Sequence, residues 1–179
     1  MTLVKLGILT TSFCFAATAF AQDFQPGVHG GVNIPIGDLS DAVDHRPGFT
    51  LGGQLGIYYG NGHELRPRID LTHYQGGNYP IGGSYDRNRI DAWGLGCDYL
   101  YYTAKQPQGV YLTGGLGYQW WQVSPEHAPD SSHSGLAVAL GAGYRFNRSF
   151  MLEGRFTSGQ FRSSDGQANA LQAVASLRF

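Results

Sequence analysis

Charged side chains are scarce in this sequence, and lysine is nearly absent. Asp, Glu, Lys and Arg make up 14% of the residues, against about 25% in a typical soluble domain. Lys5 and Lys105 are the only lysines. This composition leaves little charge to cover a surface exposed to water. The formal net charge of −1 also lacks the basic excess that phosphate binding requires, so no nucleic-acid partner is expected.

Cysteine and long apolar runs are also in short supply. Residues 1–21 have a basic start, an apolar segment and a final Ala-Phe-Ala, which predicts a secretory signal peptide cleaved before Gln22. Cys14 would leave with it, and the mature domain, 22–179, would keep Cys97 alone. One cysteine excludes an intramolecular disulfide and a cysteine metal site. No later run approaches the ~18 apolar residues of a membrane helix, so strands would have to span a membrane.

Glycine and alternating segments are abundant. The chain holds 27 glycines among 179 residues, about twice the usual ~7%. In residues 64–71, ELRPRIDL, apolar and charged side chains alternate, and a strand directs successive side chains to opposite faces. In a water-soluble sheet the charges would face solvent, whereas in a membrane barrel they would face the interior and the apolar residues would face lipid. Periodicity alone leaves both possibilities open.

The same alternation predicts eight strands, most of them near the ~9–11 residues that a tilted strand needs to cross a bilayer. They span residues 28–34, 49–59, 64–74, 89–102, 110–122, 135–146, 150–161 and 169–179. Short turns alternate with longer polar links, the turns at 60–62, 104–109 and 147–149 and the links at 35–47, 76–88, 124–133 and 163–166. This asymmetry is typical of outer-membrane barrels, with the short turns in the periplasm. The predicted fold class is all-β, an eight-stranded antiparallel up-and-down transmembrane β-barrel.

The chain resembles the small eight-stranded outer-membrane barrels of the OmpA, OmpX and opacity type. The likeness covers residues 22–179 and is carried by the segments GVHGGVNIPIGDL and GLAVALGAGYRF and by the aromatic C-terminus. It implies location in the cell outer membrane, with membrane lipid and lipopolysaccharide as partners. It also implies that the last strand is the signal read by the outer-membrane assembly machinery, through the alternating residues Leu171, Leu177 and Phe179.

The charged residues of the predicted strands are expected to point into the barrel. An eight-stranded barrel has an interior just wide enough to be filled by side chains, and buried charges persist only when they are paired and hydrogen-bonded. We therefore expect a structural ion-pair network formed by Glu64, Arg66, Arg68, Asp70, Asp98, Arg145, Glu153, Arg155 and Arg178. Glycines on the same face would leave room for these side chains. Pro67 cannot donate to the ladder, so a bulge or the start of the strand is expected near it.

No catalytic, cofactor-binding or metal site is predicted. The strand carboxylates could form a catalytic set, but structural pairing is the preferred interpretation. The six histidines show no metal-ligand spacing, and Asp38, Asp41 and Asp44 lack the pattern of a calcium loop. Lipid A deacylases of similar architecture carry a His-x-Ser pair, which the His-Tyr-Gln at 73–75 does not supply.

Three functions remain open at this stage. The preferred one is a non-enzymatic surface protein, whose barrel is an anchor and whose long loops bind extracellular ligands or support envelope integrity. The second is a narrow conduit for small molecules, which requires a continuous gap through the interior. The third is a barrel enzyme that modifies lipid A, which requires a nucleophile and base on the lipid-facing wall.

Overall fold

Eight strands and one short helix make up the described part of the chain. A computed structural model describes residues 23–81, 84–125, 131–160 and 166–179, so the predicted signal peptide lies outside the described residues. No helix within these ranges is long and apolar enough to cross a membrane. The elements are β1 (Asp23–Ile36), α1 (Asp38–Ala42), β2 (Gly48–Gly60), β3 (His63–Ile81), β4 (Ser84–Tyr102), β5 (Gly109–Pro125), β6 (Ser131–Arg145), β7 (Phe150–Gln160) and β8 (Gln167–Arg178).

The strands form one closed barrel in sequence order. Each strand pairs with the next, and β8 pairs antiparallel with β1 to close the sheet. Val28 of β1, for example, lies opposite Gly53 of β2 on one side and Leu177 of β8 on the other. Closure leaves no unpaired edge, which is the condition for a sheet to persist in lipid. The predicted eight-stranded, up-and-down antiparallel fold is therefore confirmed.

The prediction of a polar link at residues 76–88 is wrong. β3 continues to Ile81 and β4 begins at Ser84, so almost all of this segment is a β-hairpin. The β3–β4 register shifts between Gln75 and Asn78 and then continues to the end of the hairpin. A bulge accommodates extra residues without ending the pairing. Gly76 and Gly77, which fall in the predicted link, thus lie within β3.

The other predicted links are shorter than expected or contain structure. The link at 35–47 contains α1, and the link at 124–133 shrinks because β5 reaches Pro125 and β6 begins at Ser131. The end of the seventh predicted strand, Phe161, and residues 163–165 of the last link lie outside the described residues. These segments share one end of the barrel, which we call the loop end. The opposite end, with the short turns, is the turn end.

The outer wall of the barrel is apolar and the inner wall carries the charges. On β6, the outward Leu136 and Leu140 are 72% and 66% exposed, whereas the inward Arg145 is 1% exposed. On β8, Leu171 faces outward and Arg178 is buried. Soluble proteins almost never bury arginine while exposing a continuous apolar surface. The arrangement is that of a barrel surrounded by lipid.

Pro67 does not displace β3, contrary to the expectation of a bulge or a strand start beside it. It pairs with Cys97 of β4 in an unchanged register, and β3 begins four residues earlier at His63. The irregularity between β2 and β3 lies between Tyr58 and Gly60 instead. Toward β2 the pairing lapses at Arg66 and Pro67 and resumes at Leu65 in the same register, so proline interrupts this ladder without shifting the strand.

Glycines on the inner wall make room for side chains of neighbouring strands. A Cβ atom at Gly52 would lie 2.5 Å from the imidazole of His29. A Cβ atom at Gly56 would lie 2.5 Å from the guanidinium of Arg178, and one at Gly115 would collide with the carboxylate of Asp98. Long polar side chains can cross the lumen because these positions have none.

The interior is layered along the barrel axis. At the loop end, Leu39 of α1 and Val43, which follows α1, pack in an apolar cluster with strand residues Tyr74, Ile90, Ala92, Trp121, Ala168 and Ala170. Toward the turn end, a second apolar cluster contains Leu100, Tyr102, Tyr111 and Met151. Charged side chains fill the space between and around these clusters.

Candidate functional site

The nine charged residues predicted for the interior all lie on the inner wall, in two groups. None of their side chains is more than 11% exposed. We call the group in the middle of the lumen the central network; it contains Arg66, Arg68, Asp70, Asp98, Glu153 and Arg155. The second group lies nearer the turn end of the barrel. We call it the turn-end network; it contains Glu64, Arg145 and Arg178.

Arg66 joins the two sides of the central network. Its Nη2 atom lies 2.8 Å from Oδ2 of Asp98, its neighbour on β4, and 2.7 Å from Oε2 of Glu153 on β7. Tyr111 donates a hydrogen bond to the same Glu153 oxygen at 3.0 Å. Charge-assisted hydrogen bonds of this length are the strong class. One guanidinium therefore links β3 to β4 and, across the lumen, to β7.

Asp98 accepts hydrogen bonds from three arginines. Besides Arg66, Nε of Arg68 lies 3.2 Å from its Oδ1 atom, and Nη1 of Arg155 lies 3.4 Å from its Oδ2 atom. Arg155 makes a shorter bond, 2.7 Å, to the side-chain oxygen of Gln172. The carboxylate of Asp98 is thus surrounded by positive charge on the inner wall.

Asp70 connects the central network to a histidine that the sequence did not single out. It lies 2.6 Å from Nη1 of Arg68 and 2.7 Å from Nε2 of His29. His29 is on β1, and its side chain reaches β3 across the glycine of the intervening strand β2. The alternation of the first strand could have predicted that His29 points into the lumen. Its contact with Asp70 depends on the register of β1, β2 and β3, which the sequence does not give.

The turn-end network has two arginines for one carboxylate. Glu64 lies 2.5 Å from Nη2 of Arg178 and 3.6 Å from Nη1 of Arg145, and it accepts a hydrogen bond from Tyr102 at 3.0 Å. Arg145 also donates to the backbone oxygen of Arg148 at 2.7 Å. Carbonyl groups of the adjacent short turn therefore stabilise the cation that lacks a carboxylate of its own.

Paired charged side chains fill the described part of the lumen. Each of the four carboxylates of the two networks contacts at least one arginine. A cavity of about 20 Å³ beside Arg68, Asp70, Gln119 and Thr157 has room for about one water molecule. This arrangement fills the interior with charges that are paired or hydrogen-bonded.

The loop-end mouth of the lumen is covered by α1. Leu39 and Val43 are 1% and 0% exposed, so both side chains point down into the apolar cluster. The helix is attached to β8 through Asp38, whose Oδ2 atom accepts a hydrogen bond from the backbone N–H of Gln167 at 2.9 Å. A hydrogen bond of 2.6 Å between Ser40 and His45 closes the following turn.

The described histidines take separate partners. His29 contacts Asp70, His73 contacts Asp91 at 2.7 Å, and His63 contacts the Tyr99 hydroxyl at 2.5 Å. Across the residues with described side chains, no three His, Cys, Asp or Glu residues come together to hold a metal ion.

The predicted assembly residues lie on the outer wall of β8. Leu171, Leu177 and Phe179 are 48%, 51% and 78% exposed, and they alternate with buried residues. The backbone N–H of Phe179 donates to the carbonyl of Pro26 at 2.9 Å, so the C-terminus is fastened to β1. The strand therefore presents an apolar, aromatic-ended face to its surroundings.

Several solved outer-membrane barrels have a similar fold. Ail, the attachment invasion locus protein of Yersinia pestis, is 13% identical with a TM-score of 0.62, covering 88% of this chain and 100% of Ail. The N-terminal β-barrel domain of Pseudomonas aeruginosa OprF is 10% identical with a TM-score of 0.55, covering 89% and 99%. Neisserial surface protein A is 17% identical with a TM-score of 0.54, covering 87% and 95%. No curated protein matches the chain.

The sequence itself matches a family model along nearly its whole length. The model is that of the outer membrane protein β-barrel domain, and the match spans residues 7–179. The fold, the apolar outer wall and the charged lumen agree with this assignment, which places the protein in the outer membrane. The chain therefore belongs to the outer membrane protein β-barrel family.

Proposed function

We propose that the barrel is a non-enzymatic anchor and that the segments beyond its loop end bind extracellular ligands. The observation that carries this proposal is the filled lumen: compensated ion pairs occupy its middle and α1 covers its mouth. Binding and specificity then fall to the segments outside the membrane, which are the parts free to vary without disturbing the barrel.

The β3–β4 hairpin is the main element available for this role. On the outer wall, Leu71 and Trp93 are followed by the polar pair His73 and Asp91, and pairing continues from there to the end of the hairpin at Ile81. On the β4 side, which the bulge does not lengthen, the seven residue steps from Asp91 to Ser84 extend about 23 Å along the strand direction at about 3.3 Å per residue. A paired hairpin of this length supports a binding surface well clear of the lipid.

The charge of the loop-end segments favours a neutral or basic ligand. Residues 37–47, 76–88, 126–130 and 161–166 carry seven acids and three arginines, a net charge of −4 with neutral histidines. The acids are Asp38, Asp41, Asp44, Asp86, Glu126, Asp130 and Asp165, and the arginines are Arg46, Arg87 and Arg162. Complementary charge steers encounter and suppresses wrong partners. A polyanion would meet repulsion at this surface.

This charge distribution sets an expectation for one ligand of a structural relative. Ail was crystallised in complex with the heparin analogue sucrose octasulfate. At 13% identity the likeness concerns the fold, so the ligand of Ail is a probe to be tried here. Because the loop-end segments are acidic, we expect sucrose octasulfate to bind this protein weakly or not at all.

The two alternative functions have less support. A conduit needs a passage, whereas the described interior is packed with side chains at both the mouth and the centre. An enzyme needs a nucleophile beside its base. The outward His73 contacts Asp91, but no serine or threonine hydroxyl joins that pair in the part of the chain whose side chains are described. Because the described interior is packed with side chains, planar-bilayer recordings of the refolded barrel should show no stable conductance.

The C-terminal strand is proposed to direct assembly. Replacing the outward Phe179 by aspartate places a charge on the apolar face of β8 that the assembly machinery would read. We expect Phe179→Asp to lower the amount of protein in outer-membrane fractions separated on a sucrose gradient. Unchanged amounts would contradict an assembly role for this residue.

The binding proposal is tested by removing the loop-end segments. A variant in which the hairpin and the other long segments are cut back to short turns should still insert and fold, because the lumen networks lie below the cuts. Both proteins are applied in detergent to a glycan array that also carries oligolysine and sucrose octasulfate. Binding to neutral glycans or oligolysine that is lost in the shortened variant supports the proposal. Equal binding by the two proteins contradicts it.

A further inference from the structure

A small polar cluster faces outward where the apolar outer wall ends at the loop end. We call it the rim cluster; it consists of His73 on β3 and of Arg89 and Asp91 on β4. His73 and Asp91 are cross-strand partners, and the pair directly below them on the same wall is Leu71 and Trp93. The rim cluster therefore lies at the boundary between the lipid-facing surface and the polar region above it.

Asp91 holds the rim cluster together. Its Oδ1 atom lies 2.7 Å from Nδ1 of His73, and its Oδ2 atom lies 2.7 Å from Nε of Arg89. The side chains of His73, Asp91 and Arg89 are 42%, 39% and 68% exposed. Both cation-capable groups are thus oriented by one carboxylate while remaining accessible from outside the barrel.

The atoms that remain accessible define what the rim cluster can bind. A carboxylate only accepts hydrogen bonds, so Nδ1 of His73 donates to Asp91 and Nε2 is the ring nitrogen left to contact a hydroxyl group of a ligand. Arg89 uses Nε for Asp91, which leaves its two terminal nitrogens as donors in the fork geometry that suits phosphate. The rim cluster therefore matches a group that contains both phosphate and hydroxyl.

Two clefts on the outer wall flank the rim cluster. One, of about 390 Å³, lies between β2, β3 and β4 and is lined by Phe49, Leu51, Leu71 and His73. The other, of about 330 Å³, lies between β3 and β6 and is lined by Trp93 and Trp120, with Ser132 and Ser134 on its far side. Leu71 and Asp91 line both clefts. Asp91 thus lies between two apolar hollows, and Arg89 is held beside them by its ion pair with Asp91.

Aromatic rings stiffen the second cleft. Trp93 and Trp120 are stacked with ring centroids 3.9 Å apart and planes within 8° of parallel. Tyr118 packs edge-on against Trp120 at 4.7 Å and hydrogen-bonds Ser134 at 2.9 Å. Concave, mostly apolar surfaces with a few fixed polar groups are the usual form of a ligand site.

We propose that the rim cluster and its two clefts bind a phosphorylated, multiply acylated glycolipid of the outer leaflet. Its phosphate contacts Arg89, a sugar hydroxyl contacts His73, and its acyl chains lie against Leu71, Phe49 and Trp93. This site is on the barrel wall and is separate from the ligand-binding role of the loop-end segments. It rests on the proposed orientation, in which the loop end faces outward.

The width of the site favours a glycolipid over a phospholipid. The clefts extend from β2 to β6, which are four of the eight strand spacings apart, or about 19 Å measured along the curved wall at 4.7–4.9 Å per spacing. The two chains of one phospholipid are adjacent and would occupy one hollow. A disaccharide headgroup with several chains can place its phosphate at the centre while chains enter both clefts.

Intrinsic fluorescence gives a direct measurement of this site. All three tryptophans of the chain, Trp93, Trp120 and Trp121, line the second cleft. The full-length mature barrel in detergent is titrated with diphosphorylated lipid A, with the same lipid after phosphate removal, and with phosphatidylglycerol. We expect saturable fluorescence changes at the lowest concentration for diphosphorylated lipid A and at least about tenfold weaker binding for the other two lipids.

Two arginine variants separate a specific contact at Arg89 from general attraction of an anionic lipid to any exposed arginine. Arg89→Gln removes the proposed phosphate donor, and Arg148→Gln removes an exposed arginine at the turn end. Arg89→Gln should weaken diphosphorylated lipid A binding about tenfold and abolish the preference over the dephosphorylated lipid. Arg148→Gln should change neither quantity by more than about twofold. Arg89 is exposed, so its replacement should not disturb folding. The fold of both variants is verified by electrophoretic mobility before and after heating.

Three results would overturn the proposal. One is equal affinity for phosphatidylglycerol and diphosphorylated lipid A; another is an Arg89→Gln variant that behaves like Arg148→Gln. The third is an unchanged preference for phosphate when Arg89 is absent. The variant with shortened loop-end segments keeps the rim cluster, so it should bind the glycolipid like the full chain. Loss of glycan binding in that variant therefore bears on the loop-end proposal alone.

Discussion

The inner and outer walls of β3 are built from the same eight-residue stretch and obey opposite rules. On the inner wall, Arg66 is 2% exposed and lies between two carboxylates, whereas on the outer wall the apolar Leu71 is 57% exposed. In water this distribution would be strongly unfavourable, but lipid surrounds the outer wall. The medium around an alternating strand therefore decides which of its faces is left exposed and which must have its charges paired.

The largest effect is expected from removing a central arginine of the inner wall. Arg66→Met leaves Asp98 and Glu153 without their shortest ion pair, and breaking a buried pair costs on the order of 3–5 kcal/mol. Arg155→Met should cost less, because its contacts to the same carboxylates are 3.4 and 3.6 Å long and Asp98 would keep its other arginines. Urea unfolding in detergent measures both. Equal or negligible losses would show that the lumen pairs are not coupled as described.

A charge placed on the outer wall should be the next most costly change. Leu140→Arg puts a guanidinium in the middle of the apolar surface, which costs about 2–4 kcal/mol at the bilayer midplane. Ser134→Arg, two positions from Leu136 toward the loop end of the same strand, should cost about 0–1 kcal/mol because it lies near the interface. Unfolding from lipid vesicles compares the two. A Leu140→Arg protein as stable as Ser134→Arg would contradict the lipid-facing assignment.

A smaller effect is expected at the mouth of the lumen. Leu39→Ala removes a buried side chain of α1 from the loop-end apolar cluster, at a cost of about 2 kcal/mol. The change should be local, with faster hydrogen exchange in α1 and unchanged protection in β6 and β7. Unaltered exchange in α1 would show that Leu39 does not hold the helix over the mouth. Faster exchange throughout the barrel would show that α1 is part of the main core.

The strands and their faces could be predicted because both depend on local, period-2 information. All eight strands appear in the expected order, and the alternation on β6 and β8 places apolar residues outside. The closed topology follows because a sheet in lipid cannot leave an edge unpaired. Because alternation places apolar residues against lipid, the charges between them face inward, and every charge predicted to point inward is found on the inner wall.

The features that sequence reasoning missed depend on register or on short segments. The hairpin at 76–88 was hidden by two glycines, which a bulge can absorb. A five-residue helix such as α1 is too short to show a helical period. His29 meets Asp70 only because the intervening position in β2 is glycine. The contacts of Arg66 with Glu153 span the lumen, and no local pattern encodes such a pair.

Thiol labelling tests the orientation of the barrel, on which the functional proposals depend, most directly. Cys97 lies on the outer wall in the lipid-facing region, so a chain that lacks the predicted signal peptide offers a low background for a membrane-impermeant maleimide. Ser131→Cys places a thiol at the loop end and Gln106→Cys places one in a short turn, both at exposed positions. In intact cells, verified with a periplasmic control protein, Ser131→Cys should be labelled and Gln106→Cys should react only after lysis. Labelling of Gln106→Cys alone, or of neither site before lysis, would contradict the account.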